Sequence, residues 1–207
     1  MGLFGKKKPA TGGPSGPPPA APGWDAIVRA LERLYPGQKP RHWAHGGVAR
    51  MHDLRRPAEN PLDGVSVYDA GSHWHYVGFG LSDLYEKTSE DLASGLGHEL
   101  TFRLAKRAAE PEPPRWPIAV VVSVARAELA GEVLGPGHTI KTGPIDGQPN
   151  NPLTAFLVVE DRAMGPLQTP HGSVAFLQLV GVEEQVRERA IREGPDAVTA
   201  ELRARDP

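Results

Sequence analysis

Two runs of alternating side chains constrain this chain more than any other feature. His73, His75, Val77 and Phe79 alternate with Trp74, Tyr76, Gly78 and Gly80, the period of a β-strand whose two faces carry different chemistry. After a polar interval, Leu100, Phe102 and Leu104 fall on one face of a second run and Glu99, Thr101 and Arg103 on the other, as in a strand with one side buried. Such strands must find partners in a sheet, and their apolar face must be covered. The glycines Gly78, Gly80, Gly95 and Gly97 leave a flat path along which a neighbouring backbone or a broad ring can approach. They do not form a phosphate loop, because neither Gly-x-x-x-x-Gly-Lys nor Gly-x-Gly-x-x-Gly follows a strand here.

The remaining pattern supplies further strands and the cover. Trp24, Ile27, Val28, Leu31, Leu34 and Tyr35 recur at helical spacing with charge on the other faces, so an amphipathic helix packs on the body, and Pro36-Gly37 ends it. Residues 38–63 lack a long clean period and predict a short strand and loops. Val65 to Tyr68 predict a strand, and Asp69-Ala70-Gly71-Ser72 the turn into the His-Trp-His run. Residues 116–131 mix a valine run with helix formers; their length decides for a helix, with Pro117 in the first turn and Gly131 at the end. Residues 138–140, 153–160 and 174–182 predict strands, and 183–193 and 195–205 charged helices broken at Gly194-Pro195. A sheet flanked by helices in mixed order is an α+β domain.

Length allows one domain with a sizeable core. Residues 1–23 draw twelve of their number from Gly and Pro and carry Lys6, Lys7 and Lys8 without an acid. That composition predicts a disordered basic tail, leaving residues 24–207 as the domain. Lys6 stands where a myristoylation motif needs Ser or Thr. The body keeps 20 basic and 25 acidic residues, a poor match for the basic face that phosphate binding demands, so no nucleic-acid partner is expected. The absence of cysteine removes disulfides, thiolate metal sites and a cysteine nucleophile. The longest apolar run, residues 118–122, is far short of the roughly 18 residues of a membrane span. The default expectation is a cytoplasmic protein with no membrane partner and no cofactor.

Eight histidines invite a metal reading. His73 and His75, two apart on a strand, point to one face where two imidazoles can share a zinc, with Glu99 or His98 as a third ligand. The competing reading makes both hydrogen-bonded side chains of a half-buried sheet, and no His-Glu-x-x-His helix supports the first. Ser82 and Ser94 lie outside any Gly-x-Ser-x-Gly elbow. Asp83 and Glu99 are candidates for paired acid and base work, against turn or capping roles. Trp74 and Tyr76 are candidate anchors for a protein partner, or core, and an exposed edge strand can accept a peptide by β-addition.

The same residues resemble a known family. His-Trp-His-Tyr-x-x-Phe-Gly-Leu-Ser-Asp-Leu-Tyr from His73, then Ser-Gly-x-Gly-x-Glu-Leu-Thr-Phe-Arg-Leu to Leu104, is similar to the core signature of the suppressor of fused family. The match extends to Leu34-Tyr35-Pro36, Pro61-Leu62-Asp63, Pro114-Arg115-Trp116-Pro117, Gln168-Thr169-Pro170 and Val174 to Gly181. The resemblance implies a mixed, mainly antiparallel sheet flanked by helices and a non-enzymatic protein-binding role. The animal member holds a peptide of its transcription factor in a groove between two domains, and this chain resembles the N-terminal part alone. A turn thought to line that groove reads Gly-Asp-His in the animal pattern and Pro136-Gly137-His138 here, and a Tyr is replaced by Ala127, so binding of that transcription factor is not carried over. Composition rich in Ala, Arg, Gly and Pro resembles a GC-rich bacterial source, and bacterial relatives have been proposed as immunity proteins that neutralise toxins. The expectation is therefore a partner-binding module using Trp74, Tyr76, Gly137 and His138, with the loop 135–149 or the sheet surface as the contact. The alternatives are a small metal-dependent hydrolase built on His73, His75 and Glu99, and a structural subunit.

Overall fold

The computed structural model of the chain describes residues 20–44, 61–108 and 110–205. Most of the expected tail and much of the 38–63 interval lie outside those residues. The elements in order are α1 (Pro22–Leu34), β1 (Arg41–Ala44), β2 (Gly64–Asp69), β3 (His73–Phe79), β4 (Ala93–Ala105), α2 (Trp116–Leu129), β5 (Thr139–Lys141), β6 (Leu153–Glu160), β7 (Leu167–Thr169), β8 (Gly172–Glu183), α3 (Glu184–Glu193) and α4 (Pro195–Arg205). Strands pair in the order β1-β2-β3-β4-β8-β6-β5, with β7 beside β8. All pairs are antiparallel except β4 with β8. The sheet is thus mixed and mainly antiparallel, and helices cover both of its faces.

The period-2 pattern sorts side chains onto those faces. One face carries Val65, Val67, Trp74, Tyr76, Leu100, Phe102, Phe156, Val158, Leu177 and Leu179, packed against Ile118, Val121 and Ala125 of α2. Helix wins in α2 despite its valines because a turn of helix there brings Ile118, Val121, Val122 and Ala125 onto the sheet together, so burial overrides β-propensity. On the opposite face Ile27 and Leu31 of α1, with Tyr35 just after it, cover Val77, Phe79, Val174 and Phe176, while Ala190 and Val198 of α3 and α4 cover Ala155, Leu157 and Val182. The β4 residues Glu99 and Thr101, placed by pattern on an open polar face, are fully buried. Covering a sheet from both sides leaves no solvent face at its centre, and β4 is a central strand.

α1 starts two residues earlier than expected, because Pro22 suits the helix N-terminus. Its attachment is partly main-chain: the Gly23 N–H donates to the Leu84 carbonyl at 3.0 Å. The helix expected from residue 183 begins one residue later, since Glu183 still belongs to β8, and within α3 Arg187 pairs with Glu184.

Candidate functional site

The polar residues of the signature meet in two buried clusters. In the first, the chain leaves β3 through Gly80-Leu81-Ser82 and returns into β4, and Glu99 sits beneath that turn. Its Oε1 accepts the N–H of Gly80 at 2.9 Å, the N–H of Ser82 at 3.0 Å and the Ser82 hydroxyl at 2.6 Å, while Oε2 accepts the Leu81 N–H at 3.3 Å. Burial pushes the Glu99 carboxyl up to about 7, against the pull of the Ser82 hydroxyl and the three N–H groups. Asp83 does similar work one residue on, accepting from Thr88 Oγ1 at 2.8 Å, Thr88 N–H at 3.1 Å and Gly95 N–H at 3.0 Å. Gly95 has φ +57°, and a Cβ there would lie 2.6 Å from the Leu81 carbonyl oxygen, so the close backbone approach read from the glycines is real. These carboxylates therefore hold turns; they do not face each other as an acid and a base.

The second cluster lies between α1 and the α3–α4 pair on one face of the sheet. Asp161, just beyond β6, accepts from His75 Nε2 at 3.0 Å, Thr101 Oγ1 at 2.8 Å, Arg103 Nη2 at 2.6 Å and the N–H of Ala163 at 3.0 Å. A carboxylate only accepts, so His75 donates from Nε2, and its Nδ1 faces the Tyr35 hydroxyl at 2.8 Å. Burial alone would raise the Asp161 carboxyl. The His75 hydrogen bond, the charges of His75 and Arg103 and the Thr101 hydroxyl outweigh it and hold Asp161 well below the usual carboxylate range. Burial pushes the Tyr35 hydroxyl up to about 12. Asp161, the centre of this network, is not singled out by the sequence pattern; it is the second of two acids, Glu160 and Asp161, that follow the run Leu153 to Val159, and a charged pair there resembles an ordinary strand end.

The metal-dependent hydrolase is corrected by this geometry. His75 stands opposite Arg103 across β3 and β4, so Glu99 lies four residues earlier on β4, about 13 Å away along the strand. Both His75 nitrogens and both Glu99 oxygens already have protein partners. Among the described residues no group of three His, Asp or Glu side chains can hold a metal ion.

The expected partner anchors separate. Trp74 and Tyr76 are buried at 5% and 0% exposure beneath α2, with Trp74 Nε1 donating to Glu110 at 3.0 Å and the Tyr76 hydroxyl to the Pro114 carbonyl at 2.7 Å. They are core residues here, because their face of the sheet is the one α2 covers. Gly137 and His138 lie in the loop before β5. Gly137 donates its N–H to the Val158 carbonyl at 2.8 Å, has φ +90°, and presses on α4, where a Cβ would meet Pro195 Cγ at 2.7 Å. His138 is exposed, its Nδ1 2.9 Å from the Val133 carbonyl.

The strand that follows is the terminal one of the sheet and pairs with β6 alone. The His138 carbonyl and the Thr142 N–H both bond to β6, so alternation turns the main-chain groups of Thr139 and Lys141 away from it. Among the described residues this edge, with His138 at its head, is one of the two ends of the sheet, β1 being the other, and it lies beside an exposed loop.

Comparison with known proteins places the chain among relatives. Residues 58–207 match the family model described as Suppressor of fused protein (SUFU). The human and mouse Suppressor of fused homologs are each 39% identical over 176 residues, which covers 77% of this chain and 35% of theirs. The chain thus spans about a third of the length of these relatives. Among solved structures, the Sufu–Fu complex aligns at TM-score 0.77 and 33% identity over 90% of this chain and 85% of that one. Drosophila Suppressor of Fused aligns at TM-score 0.72 and 32% identity, over 82% of this chain and 44% of that one. A Neisseria gonorrhoeae SUFU homolog, at TM-score 0.50 and 15% identity over 80% of each chain, shares the fold.

Proposed function

Since the chain belongs to the suppressor of fused family, we propose that it is a non-enzymatic protein-binding module that engages its partner along the β5 edge and the 135–149 loop, with His138 as a contact. The observation that carries this reading is the division of labour among its polar groups. Glu99, Asp83, Asp161 and His75 are buried and each is engaged in holding the fold, whereas the edge of β5 keeps main-chain donors and acceptors facing outward. Free strand edges bind by adding a strand, with loop side chains supplying selectivity. The domain runs from residue 24 to 207 behind a basic tail, and it acts in the cytoplasm of a bacterial host.

In its finer form the partner is a toxin that the module neutralises. The excess of acid over base in the body suits a basic target and argues against nucleic acid. The Sufu–Fu complex supports protein binding as the family's mode of action.

A pull-down with tagged full-length chain from its host's lysate, quantified by mass spectrometry, identifies the partner, and affinity is then measured with the purified pair. His138→Ala and Thr139→Pro, which removes an outward-facing N–H tolerated at an edge, are each expected to weaken binding about tenfold. Unchanged affinity in both would place the contact elsewhere. No stoichiometric partner would turn the reading toward a structural subunit.

A further inference from the structure

Strands β4 and β8 run parallel and pair only as far as Phe102 with Leu179. Beyond that point both remain strands, β4 still paired to β3 through Ala105 and β8 still paired to β6 through Glu183. The sheet therefore forks. A cavity of about 630 Å³ occupies the mouth, and Leu104, Ala105, Trp116, Ile145, Leu153 and Gly181 are among its walls. That volume lies within the range of sites that hold small ligands.

The main chain decides what the fork suits. Lys106 N–H bonds to the carbonyl of Ser72, the residue just before β3, so alternation along β4 turns the N–H and C=O of Ala105 the other way, toward β8. Asp161 N–H bonds to the Phe176 carbonyl, and the same alternation along β8 turns the N–H and C=O of Gly181 toward β4. Two strand edges thus face each other across a cavity with hydrogen-bonding groups unmatched between them. The side-chain direction at Gly181 is filled, since a Cβ there would lie 2.7 Å from Ile145 Cδ1, which keeps the slot narrow and flat on that wall.

We propose that this fork is a second peptide site, separate from the β5 edge, which takes an extended polypeptide segment as an inserted strand. Its main chain bonds to Ala105 on one wall and Gly181 on the other, and one apolar side chain seats against Trp116, Ile145 and Leu153. An extended peptide carries alternating donors and acceptors on both of its edges at the spacing of a strand, which matches the N–H and C=O groups that the two walls present.

The test selects binders to the full chain from a phage-displayed random heptapeptide library and uses the best one as a synthetic peptide. Hydrogen exchange by NMR reads the Ala105 and Gly181 amides, which are expected to slow at least tenfold on binding. Ala105→Pro removes a donor from the slot without touching the β3 ladder, and Ala105→Ser keeps it. The first is expected to weaken the peptide at least tenfold and the second to leave it unchanged. If Ala105→Pro does not fold, the exchange data on the native chain decide. A peptide that protects the Thr139 and Lys141 amides instead overturns the fork while supporting the β5 edge, and failure to select any binder overturns the fork too.

Discussion

Replacing Asp161 tests the claim that this residue holds α1, β3, β4 and β6 together. Its side chain is fully buried and bonds to His75, Thr101 and Arg103, and its Arg103 partner is itself 16% exposed. Asp161→Ala removes the acceptor shared by His75, Arg103 and the Thr101 hydroxyl, where the His75 side chain is itself fully buried. Breaking a buried pair from one side costs about 3–5 kcal/mol, and in a domain of this size that lowers Tm by about 6–20 °C. Asp161→Asn keeps the shape but replaces a charged acceptor, and is expected to cost about 2 kcal/mol.

The pH dependence supplies a second readout. The folded state holds the Asp161 carboxyl below its unfolded value, so the unfolded chain takes up the proton first. The stabilisation is complete above the ordinary aspartate value of about 3.9 and is lost as the pH falls toward the folded one. Urea unfolding of the native chain and Asp161→Asn at pH 7, 5, 3 and 2 isolates this group, because all other carboxylates are common to both. The difference is expected to hold from pH 7 to 5 and to shrink from about 2 kcal/mol to near zero by pH 2. A loss below about 1 kcal/mol in Asp161→Ala, or a difference that stays constant down to pH 2, refutes the assignment.

Glu99 has the opposite sign in a different window: its folded value is raised from 4.5 to about 7, so stability falls as the pH rises between those values, by about 3 kcal/mol in total. Glu99→Gln is expected to flatten the dependence between pH 5 and 7, measured by chemical denaturation at each pH. Tyr35→Phe deletes the hydroxyl facing His75 and is expected to cost about 1–2 kcal/mol, with faster amide exchange at the end of α1. Gly137→Ala forces a side chain onto Pro195 at positive φ and is expected to destabilise by about 1–3 kcal/mol, read from Tm.

Local pattern in the sequence marks the helices, the long strands and the two-sidedness of the central ones, but not the short β7. Alternation along His73 to Phe79 and along Glu99 to Leu104, the helical spacing from Ile27 to Leu31, and Pro117 and Gly131 around α2 are local signals. They report on the few residues that share a turn or a pleat, and the structure agrees with them. The family was legible for the same reason, because its signature is one continuous hairpin. Tertiary structure alone decided strand order, which places β8 between β4 and β6, and with it everything that depends on distant neighbours. Covering both faces turned Trp74 and Tyr76 from candidate anchors into core. The same packing joined Asp161 to His75, 86 positions earlier, and set Glu99 beneath a turn rather than beside the histidines. Periodicity carries a residue's face but not its partner across the sheet, and partners are chosen by long-range packing.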